Sequence, residues 1–270
     1  MIEHLLQPLV CDRFISDARY WEGHLRVVNA LPQRRVLGLH TPEMKLVAKR
    51  ISRDGCDVML PGGEIRRCCC GAEVIGCFVQ VPRDTLCYEE TVIWGFLINL
   101  EKCTPEHRFA MLSNYVPVLD NWAVCDAFCA NAKWMAKVEK EMLWIWLQQW
   151  FASKREFEVR FALVTSMCYL LCDGWVGKVF DRLETLPFND IVSQYRTIKG
   201  KPKTIQEGSV QGVSPYYVRM GVAWLLATAL AKFPERTRTF VRGSKLPADV
   251  VRLYVRKARE SFRTRMVEAD

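Results

Sequence analysis

From about residue 88 onward, apolar positions recur at steps of three and four, the interval that gathers side chains on one face of a helix. Phe157, Phe161, Val164, Met167, Cys168 and Leu171 keep this spacing, and so do Val218, Val222, Leu225, Leu226, Ala229 and Phe233. Both segments also carry apolar residues off that face, which predicts inner helices packed on two sides. Alternating runs of β-branched residues between turn residues are scarce. The one strand-like piece is Glu73 to Val81, within an atypical Cys/Gly-rich segment at 54–87. The pattern therefore predicts an all-α fold of which that segment is the exception.

The pattern repeats along the chain. Phe157-Glu158-Val159-Arg160-Phe161 is echoed by Tyr216-Tyr217-Val218-Arg219-Met220, each an aromatic residue ahead of Val-Arg and an apolar run. Helices expected near Tyr88, Trp122 and Phe157 stand 34 and 35 residues apart, and a last one is expected at Asp249, 33 residues after Tyr216. That interval fits a two-helix repeat. Phe157 and Tyr216 are 59 residues apart, and the excess falls at 193–215, where Arg196, Lys199, Lys201 and Lys203 mix with Gly200, Pro202, Gly208 and Gly212. This composition predicts a basic loop inserted within one repeat. Stacked helical hairpins form an α-solenoid with a concave surface suited to an elongated ligand; the alternative is an irregular helical bundle.

Half of the 270 residues are apolar, which supports a sizeable core in a single domain, 1–270, and excludes a disordered chain. The net charge of +8 is mild, but its distribution is not: from Arg196 to Arg265 there are 16 Lys and Arg against 4 Asp and Glu. So positive a C-terminal quarter points to a polyanionic partner. Twelve cysteines, all before residue 173 in a chain without a signal peptide, predict a reducing, cytoplasmic compartment. The longest apolar stretches, such as Val92 to Leu100, are too short to span a membrane.

Asp120-Asn121 suits a helix N-cap, and Trp122 and Asp126 after it share one helix face. An aromatic plate beside a carboxylate can cradle a cation, although a partly buried indole beside a surface acid has the same spacing. Arg160, inside an apolar helix, must lie at its exposed start or find an anionic partner. Arg219 holds the equivalent place in the echoed segment, and Trp224 follows five residues later. For the arginines the structural alternative is an interhelical salt bridge; for Trp224 it is ordinary core. Cys125/Cys129 and Cys168/Cys172 are four apart, and Cys68-Cys69-Cys70 lies near Cys77, but no Cys-x-x-Cys or Cys/His knuckle occurs, so no metal is expected. Phosphate loops, dinucleotide fingerprints and Gly-x-Ser-x-Gly elbows are also missing, which leaves nucleotidyl, redox-cofactor and serine-hydrolase chemistry without support.

Taken in order, several pieces resemble the AlkD-like DNA alkylation-repair family of HEAT-like repeat proteins. They are Gly38-Leu39-His40-Thr41-Pro42-Glu43-Met44, Tyr88-Glu89-Glu90 with Gly95, Asp120-Asn121-Trp122-Ala123-Val124-Cys125-Asp126, Val159-Arg160-Phe161, and Tyr216-Tyr217-Val218-Arg219-Met220 with Ala223-Trp224. The resemblance implies a monomeric glycosylase that removes cationic N3- or N7-alkylated purines from double-stranded DNA without metal or organic cofactor. By the same resemblance Asp126 matches the carboxylate near the deoxyribose, Trp122 and Trp224 the aromatic walls, and Arg160 the arginine that engages the backbone. Lys199, Lys201, Lys203, Arg219, Arg236, Arg238, Arg242 and Lys245 are the candidate DNA contacts. The section from Ser16 to Pro32 resembles a branch with a shortened N-terminus, in which base excision is not a given. Two rivals remain open. One is a non-catalytic protein that binds damaged or distorted DNA; the other is a helical-repeat scaffold for another protein, presenting Trp144, Trp146 and Trp150.

Overall fold

The computed structural model describes residues 1–199, 201–205, 210–211 and 215–266, and these are mostly helical. The chain divides into two compact units, residues 1–134 and 135–270.

In the first unit, α1 (Glu3–Leu6), α2 (Asp12–Ser16) and α3 (Ala18–Val28) precede α4 (Thr41–Asp54). Asp17 caps α3 by accepting from the Tyr20 amide at 3.0 Å, and α3 ends at Asn29 in the left-handed region. Thr41-Pro42 opens α4, proline costing nothing in a first turn whose amides have no helical acceptor. Two short strands follow, β1 (Cys56–Met59) and β2 (Ile65–Cys68), antiparallel with Cys56 opposite Cys68. Then come α5 (Gly71–Val79), α6 (Tyr88–Leu100), α7 (Pro105–Tyr115) and α8 (Trp122–Asn131). Helix α6 is buried on almost every side and packs against α4, α5, α7 and α8. Its first turn carries two buried carboxylates that are fully used: Glu89 accepts from the Leu37, Gly38 and Leu39 amides, and Glu90 from the Ile2 and Cys87 amides.

The second unit holds α9 (Lys140–Phe151), α10 (Glu156–Tyr169) and α11 (Val176–Glu184), and then the strands β3 (Val192–Ser193), β4 (Tyr195–Ile198), β5 (Lys201–Thr204) and β6 (Val210–Gln211). It closes with α12 (Tyr216–Lys232), α13 (Pro234–Gly243) and α14 (Ala248–Glu260). The 17-residue α12 is its spine, in contact with α10, α13 and α14. Among the described residues, no helix is long and apolar enough to cross a membrane.

Five helices begin within one residue of their expected positions: α6 at Tyr88, α8 at Trp122, α10 at Glu156, α12 at Tyr216 and α14 at Ala248. Two expectations change. The strand-like piece Glu73 to Val81 is mostly helix, α5, because Val74, Ile75 and Phe78 lie at helical spacing and turn inward together. The inserted basic segment 193–215 is not simply a loop. Its described part pairs β3 with β6 and folds β4 and β5 into a hairpin. Gly200, Gly208 and Gly212, which prompted the loop assignment, lie outside the described residues.

Candidate nucleic-acid interface

In the first unit, the last turn of α3 fixes the start of α8. The Asn121 side chain accepts from the Ala123 amide at 2.8 Å as the N-cap and donates to the Val28 carbonyl at 2.7 Å. Asp120 does not cap; it meets the Arg34 guanidinium at 2.5 Å, and Arg34 also donates to the Arg83 and Leu86 carbonyls. Trp122 follows, its indole N–H donating to the Val27 carbonyl at 3.1 Å, which sets the plane of the ring. One turn later on the same face lies Asp126. Both residues are half-buried.

In the second unit, Glu156 opens α10 entirely buried. It accepts from the Tyr217 amide at 2.7 Å and shares a 2.5 Å hydrogen bond with the Ser193 hydroxyl. Burial pushes its carboxyl up to about 7, against the opposing influence of those hydrogen bonds and of Arg160. Arg160, one turn on, is only 3% exposed and donates to the Tyr217 carbonyl at 2.8 Å. Its guanidinium also lies beside Gly221, which leaves room for it on α12. Tyr217, Gly221 and Trp224 lie at helical spacing on α12, and Arg160 reaches that stripe from α10 at Tyr217 and Gly221, where it is enclosed. Trp224 is 37% exposed, which excludes the ordinary-core alternative for it. It opens onto a groove of about 440 Å³ that Lys232, Lys257, Glu260 and Arg263 also line.

The candidate DNA contacts separate into two kinds. Lys199, Lys201, Lys203, Arg236, Arg242 and Lys245 are exposed. Arg236 meets Asp173 at 3.1 Å, and Arg238 is half-buried against Glu235. Arg219 has to be corrected: it is 8% exposed, ion-paired with Asp249 at 2.6 Å and set over the Phe188 ring, so its charge is spent inside the unit. This is the interhelical bridge between α12 and α14. The scaffold alternative also changes, because Trp150 is buried and Trp144 and Trp146 pack against Trp175, Trp150 and Phe161. The exposed apolar side chains of α9 are Met142 and Ile145 instead.

Two groups of cations were not singled out in the sequence. Lys232, Lys257 and Arg263 surround Trp224, and Arg252, Arg256 and Arg259 line a second groove of about 510 Å³ along α14. The C-terminal charge excess contained all six, and the steps of four and three from 252 to 259 were the unused signal that three of them share a face. Among the described residues, Glu3, Cys87 and Glu90 bring possible metal donors together, but Glu90 is already occupied by three N–H donors, one of them the Met1 ammonium. Comparison of the chain with protein-family models, curated proteins and solved structures finds no match.

Proposed function

We propose that the chain is an AlkD-like helical-repeat protein that binds double-stranded DNA and hydrolyses the N-glycosidic bond of cationic N3- or N7-alkylated purines. The packing of alternate helices, α4 with α6 and α6 with α8 in one unit and α10 with α12 and α12 with α14 in the other, supports the repeat reading. The observation that carries the DNA reading is Trp224: an indole left open in the middle of a buried helix, on a groove with Lys232, Lys257 and Arg263. Indole faces attract cations and stack on bases, while ammonium and guanidinium groups hold phosphates.

The chemistry asks little of the protein. An alkylated purine leaves as a neutral base, so catalysis consists of steadying the positive charge that grows on the sugar as the bond breaks. A fixed carboxylate does this electrostatically, and in this proposal Asp126 has that role with Trp122 as the aromatic wall beside it on α8, while Arg160, enclosed against α12, is withdrawn as a backbone partner. Water then adds to the sugar cation and loses a proton to solvent, which leaves the free hydroxyl. The base need not be drawn into a pocket, which avoids the few kcal/mol of unstacking that flipping costs. Duplex containing N7-methylguanine should release the free base faster with wild type than without protein, and Asp126→Asn should lower release to the background. Equal release by the two proteins removes Asp126 from the mechanism.

A second reading, DNA binding without base release, is favoured by the enclosure of Arg160, whose guanidinium serves the Tyr217 carbonyl. It is distinguished by a duplex mobility shift at low salt together with no base release from any alkylated substrate.

A further inference from the structure

The function proposed above leaves the cysteines of the first unit unused, and they are not scattered. Cys68 ends β2, Cys56 begins β1 directly opposite it, and Cys77 comes from α5, which packs on both strands. All three are buried, and the Cys68 and Cys77 sulfurs are 3.7 Å apart. Two sulfurs held by one tetrahedral zinc ion, each about 2.3 Å from it, are about 3.8 Å apart, so this pair already has the spacing of a shared ion. Cys56 stands opposite Cys68 in the strand register, where Cβ atoms are about 4.5–5.5 Å apart on the same side, but the three sulfurs do not all lie within 4.8 Å of one another, so a third bond requires Cys56 to turn toward the pair.

We propose that Cys56, Cys68 and Cys77 form a binding site for a thiophilic divalent cation of the zinc and cadmium kind. On binding, each sulfur gives up its proton to solvent as its bond to the ion forms, so three thiols and one divalent ion yield a site of net charge −1 and three released protons. The surrounding charge is of both signs: the Arg66 guanidinium is 4.0 Å from the Cys77 sulfur and Arg67 and Arg50 act on Cys56, while Asp57 opposes them at Cys56 and Glu73 acts on Cys68. The site lies just below the surface, since Arg66, which touches Cys77, and Gly76, next to it in the chain, are exposed. The ion would join the hairpin to α5.

Titration of the reduced full chain with Cd²⁺ tests this through the ultraviolet thiolate-to-cadmium charge-transfer band. Wild type should saturate at one ion and release three protons. Cys68→Ser and Cys77→Ser should each weaken binding on the order of 100-fold or more, because each removes a metal–sulfur bond. Cys56→Ser should lower the band intensity, whereas Cys69→Ser and Cys125→Ser should leave the titration unchanged. Alkylation mapped by mass spectrometry on wild type alone covers the case in which a variant fails to fold: Cd²⁺ should shield Cys56, Cys68 and Cys77 in preference to the other nine cysteines. No saturable band, a band that survives loss of both Cys68 and Cys77, or uniform shielding overturns the site. A Cys56→Ser band equal to wild type removes Cys56 from it.

Discussion

The Glu156 network shows how one buried group can dictate its protonation state. The Ser193 hydroxyl has a single proton, and it meets both Glu156 and the Tyr195 carbonyl while accepting from the Tyr195 amide. Protonation of Glu156 relieves this: its O–H then donates to Ser193 in place of the bond it accepts when ionised, Ser193 donates to Tyr195, and the other carboxyl oxygen accepts from Tyr217. A carboxyl raised from 4.5 to about 7 by burial holds its proton in the folded chain at pH values where the unfolded chain has released it. Its contribution to stability is therefore complete below about pH 4.5 and is lost as pH rises through about 7. Glu156→Gln keeps a donor for Ser193 and an acceptor for Tyr217 but cannot titrate. In urea unfolding, the variant should gain on wild type by on the order of 3 kcal/mol between pH 4.5 and pH 8. Parallel pH profiles would mean that Glu156 is ionised in the folded protein.

At the scale of elements, helices wrapped in apolar residues could be read from the sequence and the short strands could not. Helices α6, α10 and α12 announce themselves because their buried positions fill more than one face. Glu73 to Val81 misled because Val74, Ile75, Val79 and Val81 are β-branched, yet burial of Val74, Ile75 and Phe78 on one side outweighs that propensity. The β1–β2 hairpin was hidden because arginines 66 and 67 break the apolar alternation; only Gly62-Gly63, both at positive φ, marked its turn. The foot of the hairpin depends on a different glycine. Gly55 has a φ of +65°, and a Cβ there would collide with the Cys68 carbonyl. Gly55→Ala should destabilise the chain by more than ~1 kcal/mol, since strain and collision both exceed the usual gain from removing a glycine. A thermal midpoint at or above that of wild type would show that the strand pair gives way at little cost. The site residues follow the same division. The Asn121 cap, the shared face of Trp122 and Asp126 and the interhelical bridge as the alternative for the arginines were readable from the sequence, whereas the partners themselves, Asp249 for Arg219 and the Tyr217 carbonyl for Arg160, were not, because only the packing of α12 brings them together.

For the whole molecule, the consequential property is where the positive charge stays available. Burial divides the C-terminal cations into those already neutralised, such as Arg219 on Asp249, and those held in solvent. The β4–β5 hairpin is the clearest case of the second kind. Its register sets exposed Arg196 directly opposite exposed Lys203, with Lys199 and Lys201 at its tip. Like charges facing each other across a strand pair repel, and a phosphate backbone laid on the hairpin relieves that repulsion while releasing its own counterions. The hairpin is anchored at its base by Ser193 and Tyr195 to the Glu156 network, so its charge is offered on a fixed mount. If it grips duplex, replacing Lys199, Lys201 and Lys203 with Gln should flatten the slope of log affinity against log salt by about 0.9 for each phosphate that is no longer neutralised. Arg219→Gln should act in the opposite way, lowering the unfolding midpoint and leaving the salt slope as it is. An unchanged slope in the triple variant would take the hairpin out of the interface and leave the Trp224 groove and the arginines of α14 to account for any binding.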